Sequence, residues 1–166
     1  MPATIRAATP EDAEAITEIW RQGLVVAMGF EPPPGDYAAA FRQRLAECDD
    51  TFKFFVAVEE DRILGWVSLT PFRANPVVRE LMAEMSAYVR TDRRGNVAHE
   101  LVLHTFAHAR RTRLQYVMAF ISSTNRPALI RATQMGLKQV GTLPPSPRSP
   151  APPLCYLTYV VPTETD

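Results

Sequence analysis

Residues 82–110 change their hydrophobic period midway, and that change limits what can be built around them. Residues 83–89 are short, mostly apolar and end in Tyr88 and Val89, which predicts a strand. From Val97 onward, Leu101, Val102, Thr105, Phe106 and Ala109 keep near the spacing of one helical face, which predicts a helix running to Arg110. Between the two lie Asp92, Arg93, Arg94, Gly95 and Asn96. Glycine and asparagine tolerate unusual backbone angles. A helix starting near Val97 points its free N–H groups and the positive end of its dipole back at this turn, beside two arginines. The stretch therefore reads as strand, anion-binding turn and helix. A solvated basic connection is the plainer alternative, and a turn with one glycine does not decide between them.

The rest of the chain supplies the context. Thr4–Ala7 is a short opening strand. Thr9 caps a helix with Pro10 at its first position, Glu11 and Asp12 in its first turn, and Ala15, Ile16, Ile19, Trp20 and Leu24 on its buried face. After the break at residues 30–35, Asp36 caps a second helix carrying Tyr37, Phe41 and Leu45. Residues 54–58 and 63–69 are strands joined by a tight polar turn, an antiparallel hairpin. Residues 70–81 form a loop. Residues 114–121 follow the central helix as in a crossover, so this strand runs parallel to the central one. Pro127 opens a short helix that stops before Gly136. Residues 137–143 and 154–161 are the last strands, separated by a proline-rich loop at 144–153 that cannot extend a sheet interior. The order is β-α-α-β-β-β-α-β-α-β-β, with no repeat and no second domain. The fold class is α/β (mixed α+β): a single domain over 1–166, with a central, mostly antiparallel mixed sheet of six or seven strands and about four helices.

Composition removes several functions. Lysine plus arginine equals aspartate plus glutamate at 18 each, which argues against nucleic acid and against a membrane surface as partners. No apolar run approaches the ~20 residues of a membrane span, and Met1–Arg6 lacks a secretory apolar core. Cys48 and Cys155 have no metal-like spacing and make no disulfide framework, which points to a reducing, cytoplasmic compartment. His99, His104 and His108 offer no usable metal set; His104 and His108 are expected to face solvent, and no metal is expected. Residues 154–161 are apolar on both faces and read as an edge strand that must be covered, so a homodimer is expected.

Several sequence blocks, taken in order, resemble the GCN5-related N-acetyltransferases, and most closely the phosphinothricin-type branch. One block is Pro71-Phe72-Arg73, Val78-Arg79 and the run from Ala83 through Glu84, Met85, Ser86 and Ala87 to Tyr88-Val89. Another is Asn125, then Gly136-Leu137, then Val140-Gly141-Thr142-Leu143. The family's pyrophosphate signature matches Arg93-Arg94-Gly95-Asn96-Val97-Ala98 with one residue deleted before Arg93. Asn96 then stands where glycine is usual, and its tolerance of left-handed backbone lets the turn survive. The resemblance covers nearly the whole chain.

The resemblance implies acetyl transfer from acetyl-CoA to an amine. It places the pyrophosphate on backbone N–H groups from Arg94 through Gly95, Asn96, Val97 and Ala98 to His99, with Arg93 beside them. It runs the pantetheine along Ala87, Tyr88 and Val89, where one N–H polarises the thioester carbonyl. Asn125 matches a position that hydrogen-bonds the pantetheine; a plain helix cap before Pro127 explains it equally well. Glu84 matches the family's glutamate and is the expected general base, since an ammonium must lose a proton before it attacks; burial in an apolar strand would raise its pKa. Its alternative is an outward-facing strand carboxylate. The branch often carries His or Tyr at the position of Ala132; a thiolate with a thiol-like pKa makes a dedicated acid dispensable, and Tyr156 and Tyr159 are substitutes or, more simply, core or sheet residues. Arg73 and Arg79 border the acceptor pocket, where an arginine fork suits a carboxylate or phosphinate, unless they are solvated loop residues. Phe30, Phe72 and Tyr37 are pocket walls or simply core. The proline-rich loop replaces a family segment near the acceptor.

Three functions fit. The first is an N-acetyltransferase for a small amino-acid-like or xenobiotic amine, of phosphinothricin or methionine sulfone type. The second acetylates a protein N-terminus, a lysine or a polyamine. The third is a degenerate member that binds coenzyme A without turnover, which the departures at Asn96 and Ala132 would favour.

Overall fold

Alternation along the strands sorts the apolar residues into two layers, one on each face of a single sheet. The computed structural model describes residues 3–29, 31–92, 96–149 and 151–162. Among these it contains strands β1 (Thr4–Ala7), β2 (Phe54–Glu59), β3 (Arg62–Pro71), β4 (Met82–Val89), β5 (Tyr116–Ser122), β6 (Lys138–Thr142) and β7 (Leu154–Val160). The helices are α1 (Ala13–Met28), α2 (Tyr37–Ala46), α3 (Val97–Ala109) and α4 (Arg126–Gln134), with one 3-10 turn at Pro10–Asp12. The sheet order is β1-β2-β3-β4-β5-β7-β6. Only β4 and β5 run parallel, joined by the α3 crossover; every other neighbouring pair is antiparallel.

One layer packs α1 and α2 on the sheet through Ile16, Ile19, Phe41, Leu45, Phe54, Val56 and Trp66. The other packs α3 and α4 on the opposite face through Val67, Leu69, Ala83, Met85, Leu101, Val102, Phe106, Val117 and Leu157. β2 and β3 are buried on both faces, so they read as continuous apolar runs. Trp66 is 1% exposed and joins four elements: it meets Phe41 of α2, Phe54 of β2 and Tyr88 of β4, and its Nε1 donates to the Ile16 carbonyl of α1 at 3.1 Å.

Local signals explain the element ends. Asp36 Oδ1 accepts from the Ala39 N–H at 2.9 Å and caps α2. Asp12 accepts from the Thr9 N–H at 2.8 Å and from both terminal nitrogens of Arg6 at 2.8 and 2.9 Å. The Arg6 guanidinium holds the Asp12 carboxyl below its ordinary pKa. Glu60 and Asp61 both have positive φ, 47° and 64°, as a two-residue hairpin turn requires.

The structure corrects four expectations. Pro10 opens a 3-10 turn, and α1 itself begins at Ala13. The strand expected from Leu114 begins at Tyr116, because Leu114 is buried as a core plug after the α3 turn. His104 and His108 do not face solvent: their rings pack edge-on against Phe55 at 4.8 and 5.2 Å, and burial lowers both pKa values. Finally, β7 is no edge. It lies between β5 and β6, so both of its backbone edges are paired within the chain, and the expectation of a dimer loses that argument.

Candidate active site

The parallel pair that organises the sheet is also where it opens. β4 and β5 are in register only from Met82 opposite Tyr116 to Met85 opposite Ala119. Beyond that point, Ala87, Tyr88 and Val89 pair with β3 alone, while Phe120, Ile121 and Ser122 pair with β7 alone. The two strands diverge, and the backbone of β4 that faces the gap has no strand partner. Unpaired backbone groups of this kind can bind an extended ligand that is itself rich in amides.

α3 begins at the far end of β4, just past the gap. Its first-turn N–H groups, on Val97, Ala98 and His99, have no helical acceptor by geometry, and the Asn96 side chain does not cap them. Among the described residues nothing else accepts from them, so they can meet an anion. Asn96 has φ −93°, an angle open to any residue, so the departure from glycine needs no left-handed backbone. Val97 is buried in the core, so its branched side chain points away from the turn. Arg93, Arg94, Gly95 and Phe30 lie outside the described residues. Across the gap, Asn125 caps α4: its Oδ1 accepts from the Ala128 N–H at 3.3 Å, which leaves its amide nitrogen free to donate. The two readings of Asn125 are compatible. The split, the free helix N-terminus and this donor are a donor set suited to a long ligand that combines a pyrophosphate with amides.

Glu84 supplies the acidic group beside this gap. It is half-buried on the α1/α2 face, opposite Thr70 of β3 and Met118 of β5. Ser86 and Tyr88 follow it on the same face. Burial raises the Tyr88 hydroxyl pKa and the Glu84 charge pushes it the same way, so the two groups sense each other. Gly23 of α1 leaves room for the Tyr88 ring; a Cβ there would collide with it.

The aromatic residues separate by face. Phe72 stacks on Phe120 at 6.1 Å, and Phe120 meets Tyr156 at 5.8 Å, a wall on the Glu84 side. Gly141 makes that wall possible, since a Cβ at this position would press into the Tyr156 ring. Tyr159 lies on the opposite face, stacked 3.8 Å from Phe106 and bonded by Arg110 at 3.0 Å, so it cannot reach Glu84. Ala132 is 5% exposed in the α3/α4 core. Tyr37 packs against Trp20 at 4.8 Å, and its hydroxyl donates to the Pro33 carbonyl.

The two expected arginines differ. Arg73 is exposed in the loop after β3. Arg79 is committed to the fold: it lies 4.7 Å over the Phe52 ring and 3.6 Å from Asp49. The structure instead brings Arg44 of α2 to the Glu84 face, over the rings of Phe41 and Phe54. Two buried hydroxyls on that face, Ser68 Oγ and Thr158 Oγ1, have no hydrogen-bond partner. Sequence reasoning missed all three. Arg44 was detectable, because it sits in the apolar stripe Phe41, Leu45, Cys48 of α2. Ser68 and Thr158 carry no signal beyond a polar residue in an apolar strand.

Among the described residues, no group of three or more His, Cys, Asp or Glu side chains could hold a metal ion, and no helix is long and apolar enough to cross a membrane. Two surface hollows, about 350 and 510 Å³, lie along α4 and beside residues 110–115, away from Glu84.

Comparison with known proteins agrees with this arrangement. No curated protein sequence matches the chain. Its fold is that of the ribosomal-protein-alanine N-acetyltransferase of Brucella melitensis, with a TM-score of 0.82 and 22% identity over 95% of this chain and 99% of that one. It is equally similar to yncA of Salmonella typhimurium, solved with acetyl-CoA, at 0.83 and 20% over 100% and 98%. The phosphinothricin acetyltransferase of Sinorhizobium meliloti, in complex with acetyl-CoA, gives 0.81 and 21% over 99% and 95%. At these identities the likeness is one of fold. The model of the acetyltransferase (GNAT) domain matches residues 3–138, most of the chain. The chain belongs to the GNAT acetyltransferase family.

Proposed function

We propose that the protein transfers acetyl from acetyl-CoA to the amine of a small amino-acid-like acceptor, of phosphinothricin or methionine sulfone type, with Glu84 as general base. The observation that carries this reading is the position of Glu84, half-buried on β4 one residue before the last rung at which β4 and β5 pair. The branch is supported by the matched blocks around Phe72, Glu84 and Gly141, and two solved relatives carry the phosphinothricin acetyltransferase name.

The chain's own groups divide the work. The N–H groups of Val97, Ala98 and His99, with Arg93, Arg94, Gly95 and Asn96, hold the pyrophosphate. The backbone of Ala87, Tyr88 and Val89 and the amide of Asn125 hold the pantetheine, and one β4 N–H faces the developing oxyanion. Acetyl-CoA supplies the activated acyl carbonyl. Glu84 takes the proton from the acceptor's ammonium, directly or through water, which frees the nitrogen lone pair. Tyr156 carries a hydroxyl proton on the same face for the leaving sulfur. Phe72 forms part of the acceptor wall, and Arg73 lies at its rim. Arg79 is reserved for the fold unless Asp49 releases it.

Thiol release from acetyl-CoA tests the reading, with a panel of phosphinothricin, methionine sulfone, ordinary amino acids, polyamines and peptides. Turnover concentrated on the amino-acid analogues is expected. Turnover confined to peptides or polyamines, or coenzyme binding with no turnover, contradicts it.

A cytoplasmic homodimer is part of the same proposal. Its support is now the β6 edge, where Val140 and Leu143 are 55% and 42% exposed. Sedimentation velocity across a concentration series should show a dimer; a monomer at every concentration contradicts it.

A further inference from the structure

Arg44 sits where a charge is costly unless something answers it. α2 packs on the sheet through the stripe Phe41, Leu45 and Cys48, and Arg44 lies in that stripe, three residues after Phe41. Its guanidinium stands 5.6 Å over the Phe41 ring and 5.3 Å over the Phe54 ring, which holds the group in place. The residue remains open to solvent. Among the described residues it forms no ion pair and its guanidinium donates no hydrogen bond; other arginines without an ion pair, such as Arg73 and Arg148, lie in exposed loops, not over two core rings. Desolvation against the rings lowers its pKa, and the charge of Glu84 is the largest influence opposing that. A partly desolvated cation without an anion is a site awaiting one.

The register places it relative to the base. Phe54 lies opposite Ser68, Ser68 opposite Ser86, and Glu84 is the next residue of β4 on that face. Strands stand about 4.8 Å apart and residues about 3.3 Å apart along a strand, so Phe54, beneath the Arg44 guanidinium, and Glu84 are roughly 12 Å apart at the backbone. Two side chains reaching inward leave a span that the ammonium and carboxylate of one amino acid can bridge. The Ser68 hydroxyl, 1% exposed and unpartnered, lies between them.

Resting on the acetyltransferase reading, we propose that Arg44 is the anion anchor of the acceptor site: it holds the α-carboxylate of an amino-acid-like acceptor while Glu84 receives the amine. This assigns the fork expected of Arg73 and Arg79 to a different element. It also makes the site select zwitterions over plain amines.

The test compares methionine sulfone, its methyl ester and the decarboxylated amine on wild type, Arg44→Gln and Arg44→Lys. The wild type should prefer the acid over the ester. Arg44→Gln should raise KM for the acid roughly 10- to 100-fold, with kcat little affected, the loss of a charged hydrogen-bonding fork. The acid-over-ester ratio should fall to near one, and Arg44→Lys should restore part of it. An unchanged KM for the acid overturns the proposal. So does an equal fall in kcat on all three acceptors, which would mean that Arg44 acts only through Glu84. Wild type that acetylates amines without preferring the acid sinks the anchor and leaves the enzyme standing. Should no amine be acetylated, calorimetry with N-acetylmethionine sulfone and its methyl ester still decides. Binding of the acid that is lost in Arg44→Gln supports the anchor, and absent or unaltered binding overturns it.

Discussion

Replacing Glu84 with glutamine should lower kcat on an amine acceptor by roughly 10²- to 10⁴-fold, the range of a positioned general base. The substitution keeps shape and length and removes the negative charge and with it the ability to take a proton. Glu84 forms no ion pair among the described residues, and its neighbours in register are Thr70 and Met118, so the fold has little to lose. The thermal midpoint should stay within a degree or two of wild type, since surface-like substitutions cost only about 0.5 kcal/mol. KM for acetyl-CoA should hardly move, because the strand split and the α3 N-terminus are untouched. A fall in activity accompanied by a lower thermal midpoint would instead make Glu84 a structural carboxylate. Steady-state kinetics alongside a melting curve separates the two.

The largest effect on stability is expected at Trp66. Trp66→Ala removes a side chain that touches α2, β2 and β4 and takes from the Ile16 carbonyl the donor it has besides its own helix. The cavity and the lost hydrogen bond together should cost about 3–5 kcal/mol. A domain typically has about 5–15 kcal/mol in all, so this variant should be marginal at room temperature. Trp66→Phe keeps most of the ring and loses only the hydrogen bond and part of the area, and should cost about 1–2 kcal/mol. Urea denaturation of both variants checks the order. Because Tyr88 stacks on Trp66 and belongs to the strand beside the gap, activity should fall with stability in the alanine variant. Equal stability of the two variants would mean that the α1/α2 layer does not depend on this ring.

Much of this fold was visible in local chemistry. The change of period across residues 82–110, the Asp36 cap and the polar hairpin turn each rest on contacts within a few residues, and each appears where expected. The element order followed from them. The position of β7 did not. Whether a strand lies inside or at the edge depends on where its partners run, and β6 and β7 exchange their sequence order in the sheet. His104 and His108 were misread because a helix face can be covered by a single ring, here Phe55 from β2. The site divides in the same way. Glu84 and the α3 N-terminus lie on one continuous stretch and could be read from it. Arg44 and Glu84 lie on separate elements, and only the packing of α2 over β2 brings them to one face. Arg79 was misjudged for the converse reason, since Phe52 and Asp49 engage it from a distant loop. The two tyrosines were separable only through register, which puts Tyr156 with Phe120 and Tyr159 with Val117.

The central claim is that Glu84 removes the acceptor's proton inside the site. The most direct measurement is the pH dependence of acetyl transfer to one amino-acid analogue, in wild type and Glu84→Gln. Wild type should stay active well below the pH at which the free amine loses its proton. The variant's rate should instead follow the fraction of neutral amine in solution, rising about tenfold per pH unit. Parallel profiles for the two proteins would contradict the account and leave the acetyltransferase without Glu84 as its base.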